Sequence, residues 1–243
     1  MATDFACDPP NISSRRSQSP SRAQLAPVQI RAHEKITFVG DSLTSGFNGA
    51  LSWPTGTGNF IDQVNATLGA GNEIVATENG VPSIGIDYLS AHISTMVFAS
   101  DPTLVFLWIG TNDAAGAGVE NFREKYITYL SNIIAWKPTI KLVTIGLGPR
   151  GSEYWELNGS GNPVWSPLAP SLYTYDSDIQ LASAALGATF IDWRKWLLAW
   201  EVVHNPGAGT SGFATIDGTH YNDTGQKQIA ACALQSRYLS VFP

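Results

Sequence analysis

Residues 36–43 read ITFVGDSL, a β-prone run that ends in a turn of glycine, aspartate and serine. A short run of this composition bounded by glycine is typical of a buried strand, and it predicts the first strand at 36–39. Serine becomes a strong nucleophile only when a neighbouring base removes its proton. The place where a buried strand opens into a turn is one where a fold can expose and activate a serine. Ser42 is therefore a candidate nucleophile.

Strand-like runs alternate with helical patterns from residue 35 onwards. The run at 103–109 is nearly all apolar, as expected of a central strand that is buried on both faces. The alternation predicts an α/β fold, a three-layer α/β/α sandwich with a mainly parallel central sheet of about five strands. The remaining predicted strands are 74–76, 141–147 and 189–191, and the predicted helices are 60–68, 86–98, 119–134, 172–186 and 224–241.

The first 34 residues are rich in Ser, Pro, Arg and Gln and show little periodicity, which is typical of a linker. We predict a tail or linker at 1–34 and a single large catalytic domain at 35–243, because 243 residues with 44% hydrophobic content suit one core. The stretch 148–170 predicts a long surface loop. Cys7 and Cys232 either form one bridge or remain unpaired, and two cysteines are too few for a disulfide framework or a zinc site.

Charge and hydropathy exclude several classes of function. The formal net charge is −6 with only 14% charged residues, which argues against a broad basic face for nucleic acid. No segment approaches the run of about 20 apolar residues that spans a bilayer, so we expect no membrane span. Low lysine content and four sequons favour an extracellular protein whose signal peptide is absent from this sequence, with a cytoplasmic location left open. The sequons are at Asn11, Asn65, Asn158 and Asn222.

A second candidate motif, DGTH at 217–220, lies near the C-terminus. Histidine titrates near neutral pH, so His220 can accept the Ser42 proton during attack and return it to the leaving alcohol. Asp217, three residues earlier, can bond the far ring nitrogen and stabilise the imidazolium as it forms. His33, His92 and His204 have no such neighbour, and we expect surface or packing roles for all three.

Four motifs together resemble the GDSL or SGNH hydrolases, in the order that the family shows them. They are GDSL at 40–43, a glycine at Gly80, GTND at 110–113 and DGTH at 217–220. The resemblance implies a flavodoxin-like sandwich, a catalytic Ser42, His220 and Asp217, and an oxyanion hole. The oxyanion donors would be the backbone N–H groups of Ser42 and Gly80 and the side chain of Asn112. Gly85 is a nearby competitor for the role of Gly80. No metal or organic cofactor is implied.

Each assignment has a structural alternative. Ser42 is also suited to a turn or a helix N-cap, and Asn112 to a turn after a strand. We expect Asp41 and Asp113 to bond loop backbone near the site. The stretch GLGPRG at 146–151 satisfies a dinucleotide-binding pattern, but a proline and a loop follow where a helix is required, so we reject that interpretation.

Substrate choice depends on the loops. Trp53, Tyr154, Trp155 and Trp165 either form an aromatic wall that suits sugar rings or only pack their loops. The sequence shows no extended apolar lid for a long acyl chain. We therefore predict a serine esterase acting on short acyl esters, with acetyl groups on a saccharide as one candidate. A lipase or lysophospholipase, an acyltransferase and a non-catalytic glycan-binding module remain alternatives, and the oligomeric state stays open.

Overall fold

A computed structural model describes residues 27–45, 60–69, 74–114, 119–148, 155–157, 163–165, 170–194, 196–197, 220–235 and 238–241. The elements in chain order are β1 (Val28–Ile30), β2 (Lys35–Gly40), α1 (Phe60–Gly69), β3 (Val75–Gly80), α2 (Ile86–Ala91), α3 (Ile93–Met96), a 3₁₀ turn (Phe98–Ser100), β4 (Leu104–Trp108), α4 (Phe122–Trp136), β5 (Lys141–Ile145), β6 (Trp155–Leu157), β7 (Pro163–Trp165), α5 (Pro170–Ala185), β8 (Thr189–Ile191), α6 (Asp223–Ala233) and β9 (Leu239–Val241).

A five-stranded parallel sheet in the order β3-β2-β4-β5-β8 forms the middle layer. One of its faces packs on α1 and α6, and the other packs on α2, α4 and α5. Successive residues of a strand point to opposite faces, so Phe106 enters the first core and Leu107 the second. All five residues of β4 are buried, which explains its continuous apolar sequence. The predicted three-layer α/β/α sandwich is confirmed.

The sheet order creates a crevice at the carboxyl end of β2. The first sheet strand along the chain, β2, has the second (β3) on one side and the third (β4) on the other. The chain after β2 leads to β3 on one side and the chain after β4 leads to β5 on the other, and open α/β sheets bind their ligands at such a switch point. Ser42 follows β2 directly, so the topology places it at this crevice.

Two short terminal strands differ from the sequence-based expectation. β1 pairs in parallel with β9, and Ile30 of β1 is fully buried in the core beside α6. The predicted tail at 1–34 thus contains a strand that packs on the domain. The predicted final helix at 224–241 is wrong beyond Ala233, because the chain continues into β9 and pairs with β1. Cys232 is buried in α6 and Cys7 lies outside the described residues, so both alternatives, one bridge or unpaired cysteines, stay predictions.

Two other predicted elements are interrupted. The helix expected at 86–98 breaks at His92, whose φ of −116° is not helical, and continues as α3 and the 3₁₀ turn. Within the loop expected at 148–170, β6 and β7 form an antiparallel pair. The five residues between them read NGSGN, which are turn-forming types. None of the helices in the described part of the chain has the length and hydrophobicity needed to span a bilayer.

Candidate active site

Ser42 stands in the first turn after β2, and Asp41 shapes that turn. The Asp41 carboxylate accepts the Leu43 N–H at 2.9 Å, while its backbone carbonyl accepts the Ser45 N–H at 3.1 Å. These two bonds make Asp41 the N-cap of a single helical turn that begins with Ser42. The Ser42 N–H, as the first of that turn, has no acceptor among the described residues. The expectation that Asp41 bonds loop backbone is confirmed.

Two glycines allow the serine turn to approach the neighbouring strands. A Cβ on Gly40 would lie 2.0 Å from the Trp108 carbonyl oxygen of β4. A Cβ on Gly80, at the end of β3, would lie 2.3 Å from the Ser45 backbone nitrogen. Any larger residue at either position would push the turn away from the sheet. The GDSL glycine and Gly80 are therefore required by close backbone packing around the serine.

The backbone N–H of Gly80 points away from β2. The N–H groups of Val75 and Val81 donate to the Glu34 and Gly40 carbonyls, both at 3.0 Å. Alternate residues of a parallel strand donate to opposite sides, so Gly80, one residue before Val81, donates to the other side. β3 is the edge strand of the described sheet, so this N–H has no strand partner among the described residues.

His220 meets Ser42 from the opposite end of the sequence. Its Nε2 atom lies 3.1 Å from the Ser42 Oγ atom, within hydrogen-bonding distance. Ser42 is 7% exposed and His220 is half-buried, so the pair is sheltered but open on one side. Two residues later, the Asn222 side chain accepts the Gly225 N–H at 3.0 Å and caps α6. The start of α6 thus anchors the segment that carries His220.

Tyr221 supports the same segment from within the core. Its ring stacks on Trp108 with a centroid distance of 6.1 Å and meets Trp193 edge-on at 4.9 Å. All three rings are at most 1% exposed. A Cβ on Gly148 would lie 2.0 Å from the Tyr221 hydroxyl oxygen, so this glycine makes room for the ring. This support has no signature in the sequence beyond the position of Tyr221 directly after His220.

Asn112 and Asp113 follow β4 and reach the loop that follows β3. The Asn112 Nδ2 donates to the Ile84 carbonyl at 2.9 Å, and the Asp113 carboxylate accepts the Ile86 N–H at 2.9 Å. Asp113 is 3% exposed; burial raises the pKa of its carboxyl, and the Ile86 N–H acts in the opposite direction. A Cβ on Gly85 would lie 2.5 Å from Asp113 Oδ1. Gly85 therefore packs on Asp113, whereas Gly80 packs on the serine turn.

The other predicted site residues divide into two groups. Asp217, Trp53 and Tyr154 lie outside the described residues. Trp155 and Trp165 are cross-strand partners in the β6–β7 pair. Within the described ranges, no three or more His, Cys, Asp or Glu side chains group in a way that could hold a metal ion.

Local contacts account for several other sequence candidates, and His204 lies outside the described residues. Gly146 abuts the Asp176 carboxylate and the Phe190 ring, and Gly148 abuts Tyr221. This close packing explains the first two glycines of the rejected dinucleotide pattern, and Gly151 lies outside the described residues. His92 is exposed and stacks on Tyr88 with ring centroids 4.0 Å apart, which confirms its surface role.

Known proteins share the sequence motifs and the architecture of this chain. The model of the GDSL-like lipase/acylhydrolase family matches residues 38–228. No curated protein sequence matches the chain. Solved structures similar to it include an α/β hydrolase, LAE5, from the metagenome of Lake Arreo, with 19% identity, a TM-score of 0.65 and coverage of 86% of this chain and 96% of that one.

Two further structures share the fold. A protein of Parabacteroides merdae assigned as a GDSL-like lipase has 16% identity and a TM-score of 0.70, covering 87% of this chain and 98% of its own. A catalytic mutant of Axe2, an acetylxylan esterase from Geobacillus stearothermophilus, has 17% identity and a TM-score of 0.68. The match covers 86% of this chain and 96% of the Axe2 chain. The family match spans most of the chain, including the serine turn and the His220 segment. The chain therefore belongs to the GDSL-like lipase/acylhydrolase family and is a carboxylic ester hydrolase.

Proposed function

We propose that the protein is a serine esterase that hydrolyses short-chain acyl esters, with acetyl groups on carbohydrates as the candidate substrate. The observation that carries this proposal is the 3.1 Å contact between Ser42 Oγ and His220 Nε2 at the switch point of the sheet. A hydroxyl and an imidazole in hydrogen-bonding contact are the nucleophile and the base that acyl transfer requires.

The reaction proceeds in two halves. In the first, Ser42 Oγ attacks the ester carbonyl carbon while His220 Nε2 takes the Oγ proton, and the collapse of the tetrahedral intermediate returns that proton to the leaving alcohol. In the second, water attacks the carbonyl carbon of the acyl-enzyme while His220 takes a proton from the water. Cleavage of the bond to Ser42 Oγ then returns that proton to Oγ and releases the carboxylic acid. Asp217 is the proposed partner of the far ring nitrogen, an assignment that rests on its place three residues before His220 in the sequence.

Three donors are proposed for the oxyanion. They are the Ser42 N–H, which has no acceptor among the described residues, the outward-facing Gly80 N–H and the Asn112 amide. All three lie at the carboxyl ends of neighbouring strands. Preorganised donors act on the charge that develops in the transition state, and losing one typically lowers kcat by about 10² to 10³.

The short-acyl preference is supported by two features. The sequence contains no extended apolar lid, and one similar structure is an acetylxylan esterase. The aromatic residues Trp53, Tyr154, Trp155 and Trp165 are proposed to contact a sugar ring. The similarity to a protein assigned as a GDSL-like lipase keeps a lipase as the alternative.

An acyl-length series tests the proposal. Rates of nitrophenyl ester hydrolysis should be highest for acetate or propionate and fall towards palmitate, and they should vanish in Ser42→Ala. A maximum at long chains would favour the lipase. Product analysis with added sugars separates hydrolysis from transfer, and a folded wild type that binds glycans but hydrolyses no ester would indicate a binding module.

A further inference from the structure

The loop at 81–85 connects the Gly80 strand to α2 and contains a strained residue. Ser83 has a φ of 63°, in the left-handed region that non-glycine residues rarely adopt. Such a conformation costs about 1 kcal/mol or more and persists only where the surroundings hold it. The contacts that hold this loop therefore determine where its carbonyl groups lie.

Two consecutive residues after β4 hold the end of this loop. Asn112 Nδ2 donates to the Ile84 carbonyl at 2.9 Å, and Asp113 Oδ1 accepts the Ile86 N–H at 2.9 Å. The loop accepts the first bond and donates the second, and the two bonds lie on either side of Gly85. The Asp113 carboxylate also packs against Gly85, where a Cβ would come within 2.5 Å of Oδ1. Asp113 thus fixes the backbone on the C-terminal side of Ile84.

The Ile84 carbonyl in turn sets the orientation of the Asn112 amide. The amide group is planar and carries two N–H bonds about 120° apart, so the bond to Ile84 fixes the direction of the second N–H. A shift of the Ile84 carbonyl rotates or moves that second donor. A misplacement of about 1 Å in a catalytic group can cost about 100-fold in rate.

We propose that Asp113 is a positioning residue for ester hydrolysis: through Ile86 and Gly85 it places the Ile84 carbonyl, which aims the second N–H of Asn112 at the oxyanion. This rests on the proposed oxyanion role of Asn112. Asp113 touches no substrate, so its contribution passes through Asn112. The dependence of one residue on the other is what a double-mutant cycle measures.

The test measures kcat and KM for nitrophenyl acetate in Asp113→Ala, Asn112→Ala and the double variant. In the wild-type background, Asp113→Ala should lower kcat about 10- to 100-fold with little change in KM, because the oxyanion develops only in the transition state. In the Asn112→Ala background, the same substitution should lower kcat by less than about threefold, since the donor that it positions is absent. The Asp113→Asn variant keeps an oxygen acceptor for the Ile86 N–H, so it should retain most of the wild-type kcat.

The control is Asp87→Ala in both backgrounds. Asp87 is the next residue along α2 but is exposed and paired with Lys125 at 2.7 Å, so its loss should leave kcat unchanged. If Asp113→Ala does not fold, Gly85→Ala disturbs the same contact from the loop side and should show the same dependence on Asn112.

Two results would overturn different claims. An equal loss of kcat from the Asp113 or Gly85 substitution in both backgrounds, or no loss in a folded variant, would overturn the positioning role alone. Unchanged kcat in folded Asn112→Ala would overturn the proposed oxyanion role itself.

Discussion

Ser42 Oγ and His220 Nε2 lie 3.1 Å apart although 178 positions separate the two residues in the sequence. The fold achieves this by placing the start of α6 beside the first turn after β2. Asp41 caps the serine turn, and Asn222 caps α6 two residues after the histidine. Both halves of the pair are therefore held by helix N-caps rather than by a direct chain connection.

Removing either member of the pair should abolish most of the activity. Ser42→Ala and His220→Ala should each lower kcat by about 10⁴ to 10⁶, and the double variant should be little worse, because residues that act as a unit are not additive. His92→Ala is the matched control, since that histidine is exposed on α2–α3 and should leave kcat unchanged. Steady-state kinetics with thermal unfolding checks this, and additive losses in folded variants would contradict it.

Gly80→Ala should inactivate the enzyme and destabilise it. The new Cβ would lie 2.3 Å from the Ser45 backbone nitrogen, which cannot move without shifting the Ser42 turn. Gly187→Ala provides the comparison, because Gly187 has a φ of 70° but nothing within 4 Å of a Cβ. The Gly187→Ala substitution should cost only about 1–2 kcal/mol of backbone strain and leave kcat unchanged. Equal kcat in the two variants would argue against the packing role of Gly80.

Glu34→Gln should destabilise the protein in a pH-dependent way. Burial alone raises the pKa of Glu34, but hydrogen bonds from Lys141 and Thr103 outweigh it and hold the pKa below its ordinary value of 4.5. The unfolded chain therefore binds the proton more readily, so this stabilisation is complete above about pH 4.5 and is lost as the pH falls through the folded pKa.

Urea unfolding of wild type and Glu34→Gln from pH 3 to 7 measures this difference. We expect the free energy of unfolding of the variant to be about 1–3 kcal/mol lower at pH 7, the usual range for hydrogen bonds to charged groups. The gap should narrow as the pH falls below about 4.5. A gap that is constant across this range would mean that the charge of Glu34 is not what stabilises the fold.

Asn222→Ala should remove the cap of α6 and lower the free energy of unfolding by about 1 kcal/mol. Because the cap lies two residues after His220, kcat should fall as well. Asn222→Asp keeps an oxygen for the Gly225 N–H and should retain wild-type values of both. Chemical unfolding measures the free energy of unfolding, and nitrophenyl acetate kinetics measure kcat. A stable, fully active Asn222→Ala variant would refute the anchoring role.

Local sequence signals predicted the sheet and Ser42 at its carboxyl edge. The buried strand at 103–109 and the strand at 189–191 are readable from composition. Ser42 follows β2, Gly80 ends β3 and Asn112 follows β4, but Gly80 and Asn112 are singled out by the family resemblance rather than by local signals. The pairing of β1 with β9 was not predictable, because three-residue strands about 200 positions apart leave no local pattern. The Trp108–Trp193–Tyr221 cluster likewise exists only once distant strand ends meet.

The most direct test of the account is to label the nucleophile. The enzyme is treated with diisopropyl fluorophosphate, a reagent that phosphorylates activated serines, and the modified residue is identified by peptide mass mapping. We predict one adduct per chain on Ser42, full loss of esterase activity, no adduct in Ser42→Ala and much slower labelling in His220→Ala. Inactivation with the adduct on another residue, or equally fast labelling without His220, would contradict the claim that His220 activates Ser42.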